Sequence, residues 1–210
     1  MMAKWGIALV LGVVTLTGAE AHAHRFELGI TLEPTFSGLP AVADDNSIPT
    51  LALGAGGGLG IEFMPTKYLA IVSHFSYAHP VTQSRIGRAT FGLNTGDYYF
   101  SQAGVLGRLG LRIETPTWWL PVQFFLEAGA GAALLIQDKR QLVDDRGTPY
   151  EIPLPTLVKV SPLIALSSGM FIRAAEHVRF NVDGSLYLLP GRRLGVGFGI
   201  TLGITFIFLT

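Results

Sequence analysis

The residues best placed to do chemistry are His74 and Ser76, in the stretch His74-Phe75-Ser76. Two side chains at i and i+2 of a strand share a face, so the geometry of a strand allows a Ser–His nucleophile pair here. The plainer reading is a structural histidine on the inner face of a strand. The chain has no Cys, which excludes disulfides, thiol catalysis, Cys-ligated metals and a lipidated N-terminal Cys. His22 and His24 lie near the N-terminus, and His79 and His177 flank turns. With no His/Asp/Glu clustering at ligand spacing, no metal site is expected. Gly54–Gly60 (GAGGGLG) has the glycine content of a phosphate-binding loop but lacks the Lys-Ser/Thr and the following helix. It reads instead as a wall that neighbouring groups approach closely. No catalytic residue and no cofactor is assigned, and the chain is expected not to be an enzyme.

Position in the chain decides what such groups can do, and the last stretch shows how positions are set. From Leu194 to Phe208 every even residue is bulky and apolar, and the odd ones up to Thr205 are Gly or Thr; Ile207 alone breaks the pattern. A period of two over that length marks a strand with two unlike faces. A helix would scatter the glycines round its circumference, each at about 1 kcal/mol relative to Ala. Fifteen residues is long for a soluble strand but suits a tilted membrane-spanning one.

Composition supports a membrane strand. The chain is 49% hydrophobic with only 14% charged residues, and its mean hydropathy is +0.43. Soluble domains have about 25% charged residues, yet no run here reaches the roughly 20 apolar residues of a spanning helix. Spreading hydrophobicity over alternate strand residues resolves the conflict. The formal net charge is zero, which removes the electrostatic case for nucleic acid.

Seven further segments alternate in the same way, at about 25–36, 50–63, 68–79, 98–114, 122–136, 156–173 and 178–189. Pro162 inside the sixth is a candidate bulge. The connections alternate long (37–49), short (64–67), long (80–97), short (115–121), long (137–155), then short twice (174–177 and 190–193). Outer-membrane barrels have long outer loops and short periplasmic turns. The expected fold is all-β: an eight-stranded antiparallel up-and-down transmembrane β-barrel.

Alternation leaves open which face is outside; the charges choose. The second face of the last strand carries no Lys or Glu, which suits an inner wall. With the apolar face toward lipid, the lumen receives Glu27, Glu62, Arg108, Arg112, Glu127, Lys159, Arg179 and Asp183, together with Glu33. Glu114 and Arg173, near strand ends, belong to the same face or reach water. The signs nearly balance, so mutual pairing offsets much of the cost of burying charge. Eight strands enclose a lumen that side chains can fill. A charge-paired plug is expected, with Arg108, Arg112, Glu127 and Asp183 near its middle. Aromatics mark depth: Tyr98-Tyr99-Phe100, Tyr77 and Tyr187 for the outer interface, Tyr68, Trp118-Trp119, Phe206 and Phe208 for the inner one.

Residues 1–23 read as a signal peptide, with Lys4, a short apolar run over Trp5–Leu16, and small-x-small sites ending at Ala21 and Ala23. Residues 24–210 form the barrel. Signal segment, eight alternating strands, three long loops and an aromatic last strand together resemble the small outer-membrane β-barrel family, of the outer-membrane protein A-like and W-like kind. Phe208 also resembles the terminal aromatic read by outer-membrane insertion machinery, although Leu209-Thr210 follow it. The resemblance implies an outer-membrane location in a Gram-negative bacterium, no cofactor, and structural, adhesive or small-solute roles. His74-x-Ser76 resembles the His-x-Ser of outer-membrane lipid A deacylases; here the pair has lumenal parity, and Arg85 and Arg88 stand where that family has a downstream Glu. The expected function is a non-enzymatic barrel with a plugged lumen and an envelope-structural or surface-interaction role. The alternatives are a narrow channel for small or hydrophobic solutes, and a lipid-modifying enzyme using His74 and Ser76. The expected partners are outer-membrane lipid, lipopolysaccharide and the insertion machinery, with the barrel a monomer.

Overall fold

The computed structural model describes residues 27–41, 51–66, 68–115, 122–152, 155–191 and 194–209. The signal segment and Trp118-Trp119 lie outside these residues. Among the described residues there are ten strands: β1 (Glu27–Pro40), β2 (Leu51–Thr66), β3 (Leu69–Pro80), β4 (Ser84–Phe91), β5 (Asn94–Glu114), β6 (Val122–Val143), β7 (Pro149–Glu151), β8 (Leu157–Ala175), β9 (Val178–Leu189) and β10 (Gly195–Leu209). Eight of them close into a ring, β1-β2-β3-β5-β6-β8-β9-β10, with β10 returning to β1. Every pairing is antiparallel, and the closing ladder runs from Glu27↔Leu209 to Gly38↔Phe198. Closure leaves no free edge within the ring.

The two faces follow the alternation. Leu32, Leu126 and Val160 point outward at 52%, 68% and 70% exposure, whereas Glu62 and Thr205 point inward at 1% and 0%. The glycines of the inner face make room for long side chains. A Cβ on Gly29 would overlap Glu62, and one on Gly199 would overlap the Tyr187 phenol.

Two expected loops are largely strand. Residues 80–97 are not a loop: after a break at 81–83 the chain continues upward as β4, turns at Gly92-Leu93 and returns as β5. Gly92 has φ +62, the left-handed conformation that the first position of a primed two-residue hairpin turn requires. Likewise β6 runs on to Val143, and Asp144 closes the turn into β7 by accepting the amides of Arg146 and Thr148. Polar composition disguised both segments, because a strand above the membrane no longer needs one apolar face. β5 and β6 thereby reach 21 and 22 residues and stay paired up to Asp97↔Val143. With β4 and β7 at their edges they form a tall wall rising beyond the ring. The Pro162 bulge is absent: Ala132↔Pro162 lies within an unbroken β6–β8 ladder. Pro162 sits just past the β8–β9 ladder, which starts at Ile164, and an edge tolerates a missing N–H.

Candidate functional site: a filled lumen

The inward side chains stack in three layers. The lowest lies nearest the end where Glu27 meets Leu209. There Glu62 of β2 takes both Arg112 of β5 and Arg179 of β9 in ion pairs. Glu114 takes the same two arginines, at 2.9 Å from Arg112 Nη2 and 3.3 Å from Arg179 Nη1. The guanidinium of Arg112 also lies 4.6 Å from the Phe171 ring centre, and that of Arg179 lies 4.0 Å from it. Phe125 stacks on Phe171 at 4.6 Å. All four charged residues are at most 4% exposed. Two carboxylates thus meet two guanidinium groups on an aromatic floor, so the cluster is neutral and dense.

The middle layer is built around His74. Its Nδ1 lies 2.9 Å from Glu33 Oε1 on β1, and its Nε2 lies 3.2 Å from Glu127 Oε1 on β6. Arg108 Nη2 reaches the same Glu127 oxygen at 3.2 Å, and Arg108 Nη1 donates to Ser185 Oγ at 3.3 Å. Asp183 is buried beside them and, among the described residues, accepts two long bonds, from Asn181 (3.5 Å) and Ser185 (3.4 Å). A void of about 10 Å³, lined by Glu33, His74, Ser76, Arg108, Tyr187 and Thr201 among others, has room for one water. Above it Leu39, Leu106, Ala133, Leu135, Leu163, Ala165, Tyr187 and Leu189 form an apolar layer.

The structure therefore brings Glu62, Arg112 and Arg179 into one cluster and Arg108, Glu127 and Asp183 into another. Arg112 belongs to the lower layer, not to the middle of the plug. Glu114 is buried in the lower cluster, where the sequence left it divided between lumen and water. Lys159 is a correction: it shares the inward parity but is exposed, because β8 continues upward beyond the β8–β9 ladder. Glu27 is half-buried at the lower end and forms no ion pair among the described residues. Two members of the site were missed, Phe125 and Phe171. Both have inward parity despite their bulk, and that exception to the alternation was their available signal.

The aromatic markers divide. Phe206 and Phe208 are exposed on the outer face near the lower end, and Tyr68 is half-buried in the β2–β3 turn. Tyr99 has outward parity in the tall wall. Its neighbours Tyr98 and Phe100 have inward parity, and Phe100 is fully buried. Tyr187 is also inward and buried, so it is no interface marker. A run of three aromatics on a strand cannot all face one way.

Above the ring the tall wall carries exposed charge pairs. A bulge at Ile86 brings Arg85 and Arg88 to the same side of β4. Arg85 pairs with Asp97 at 2.8 Å, and Arg88 reaches across to Asp145 at 2.7 Å. The hydrogen bond from Arg85 to Asp97 holds its guanidinium above the usual range. The amides of Thr148 and Arg146 hold the Asp144 carboxyl below the usual one.

No family model and no curated protein matches the chain. Solved structures do. A major outer membrane protein from Thermus thermophilus superposes with a TM-score of 0.58 at 13% identity, over 88% of this chain and 100% of that one. Neisserial surface protein A superposes with a TM-score of 0.54 at 9% identity, over 86% and 96%. The outer membrane protein OprG from Pseudomonas aeruginosa gives 0.54 at 13% identity, over 89% and 98%. At these identities the agreement is one of architecture, and it extends over nearly the whole of each relative. The chain has the fold of the small eight-stranded outer-membrane β-barrel proteins.

Proposed function

We propose that this protein is a non-enzymatic outer-membrane barrel whose lumen does not conduct and whose role is envelope-structural or surface-interacting, carried by the wall above the ring. The observation that carries this reading is the filled lumen. Two charged layers and an apolar layer follow one another, and the void beside His74 is about 10 Å³. A hydrated ion needs a continuous polar path, and the apolar layer interrupts it. Small surface barrels such as Neisserial surface protein A share the architecture.

The geometry around His74 supports the non-enzymatic reading. Both nitrogens of His74 face carboxylates, so neither is turned to the Ser76 hydroxyl. On this reading the exposed apolar belt meets membrane lipid, Arg85 and Arg88 lie within reach of lipopolysaccharide phosphates, and the barrel is a monomer inserted by the outer-membrane machinery. Single-channel recording of the refolded protein in planar bilayers tests it. No discrete conductance steps are expected. Reproducible steps would replace this reading with the narrow channel.

A further inference from the structure

The middle layer differs from an ordinary buried ion pair in one respect: a single imidazole is asked to serve two carboxylates. A neutral imidazole has one N–H and one lone pair. It can donate to Glu33 or to Glu127, and toward the other carboxylate it then presents a lone pair facing a lone pair. Only the imidazolium donates through both nitrogens, at the 2.9 Å and 3.2 Å separations observed. The three residues lie on β1, β3 and β6, so the doubly protonated ring ties together strands that are not neighbours in the ring.

Charge count points the same way. The groups facing His74 are Glu33 from β1, Arg108 from β5, Glu127 from β6, and Asp183 and Tyr187 from β9; Thr201 of β10 lines the same void, and Ser167 of β8 bonds Ser185, which in turn bonds Arg108 and Asp183. With the ring protonated the layer holds two cations against the three carboxylates, and without that proton it holds one. The lower cluster, two against two, has no such dependence. The void beside the ring holds space for one water, which provides a partner for a departing proton.

We propose that the Glu33–His74–Glu127 bridge is a proton-dependent brace across the lumen: complete while the ring carries both protons, and severed on one side when it loses one. The lumen is then a pH-responsive part of the barrel wall, stiff in acidic surroundings and looser in alkaline ones. This takes the membrane-enclosed lumen as given and holds whether or not the lumen conducts, so bilayer recordings and the tests below fail independently.

The test is the unfolding rate of the full-length refolded barrel in detergent, followed by the gel shift between folded and unfolded forms from about pH 6 to about pH 9. The wild type should unfold about tenfold faster at the alkaline end. His74→Gln should be nearly flat across that window, and Asp183→Asn, which removes the one carboxylate of the layer that has no ion-pair partner among the described residues, should keep the wild-type rise. A flat wild type, or a His74→Gln profile that tracks it, overturns the proposal. Should His74→Gln fail to fold, ring ¹⁵N spectra of the wild type decide: two protonated nitrogens on His74 at the acidic end support the brace, and a neutral tautomer there overturns it.

Discussion

The lower and middle layers of the lumen are both made of carboxylates and basic groups, yet they are built on different principles. In the lower layer Glu62 and Glu114 each take Arg112 and Arg179, every charge has two opposite partners, and Phe125 and Phe171 pack beneath the guanidinium groups. In the middle layer three carboxylates share Arg108 and a histidine, Asp183 has no ion-pair partner among the described residues, and a small void remains. Arginine holds its proton at any physiological pH, whereas histidine does not. The first arrangement is permanent; the second depends on its surroundings. Burying charge is tolerable in either case only because partners are present, which makes the removal of one partner informative.

The largest effect is expected from Arg179→Met. It leaves Glu62 and Glu114 buried with a single cation between them, and breaking a buried pair in this way costs about 3–5 kcal/mol. Urea unfolding in lipid vesicles measures it; a loss below about 1 kcal/mol would mean that water screens the cluster and that the lower layer is not dry. Glu127→Gln should come next, because that carboxylate serves both His74 and Arg108. An expected loss of about 2–3 kcal/mol, near the upper end for bonds to charged groups, should exceed the roughly 1.5 kcal/mol for Glu33→Gln, which serves His74 alone. Equal losses would erase the asymmetry of the middle layer.

Smaller effects bound the comparison from outside. Ser76→Ala removes a hydroxyl from the rim of the void and should shift stability by no more than about 0.5 kcal/mol. A larger shift would make Ser76 part of the brace. Arg88→Ala severs an exposed pair with Asp145, and pairs of that kind contribute little. No measurable change in unfolding is expected, and a clear one would show that the tall wall helps to hold the ring.

His74 shows how far the residues alone could be read. Its strand and its inward parity follow from the alternation of Leu69, Ile71, Phe75 and Tyr77 around it. That Glu33, 41 positions earlier, and Glu127, 53 positions later, lie on its two sides does not follow, because the contact depends on how far each strand slides against its neighbour. The same holds for Arg179 and Glu62, 117 positions apart. β4 was hidden for another reason: above the membrane a strand can be polar on both faces, so the period of two that betrays every membrane strand is lost there.

Local alternation, with its glycines and its scarce charges, was enough to determine a closed antiparallel barrel of eight strands and which side chains turn inward, because a period of two admits one pleat and lipid admits one face. Stagger around the ring decided the rest. It sorted the inward charges into a balanced cluster and an unbalanced one, placed an imidazole between two carboxylates and carried Lys159 out of the lumen. Register is a property of pairs of strands, and no single strand encodes the height at which its partner will stand.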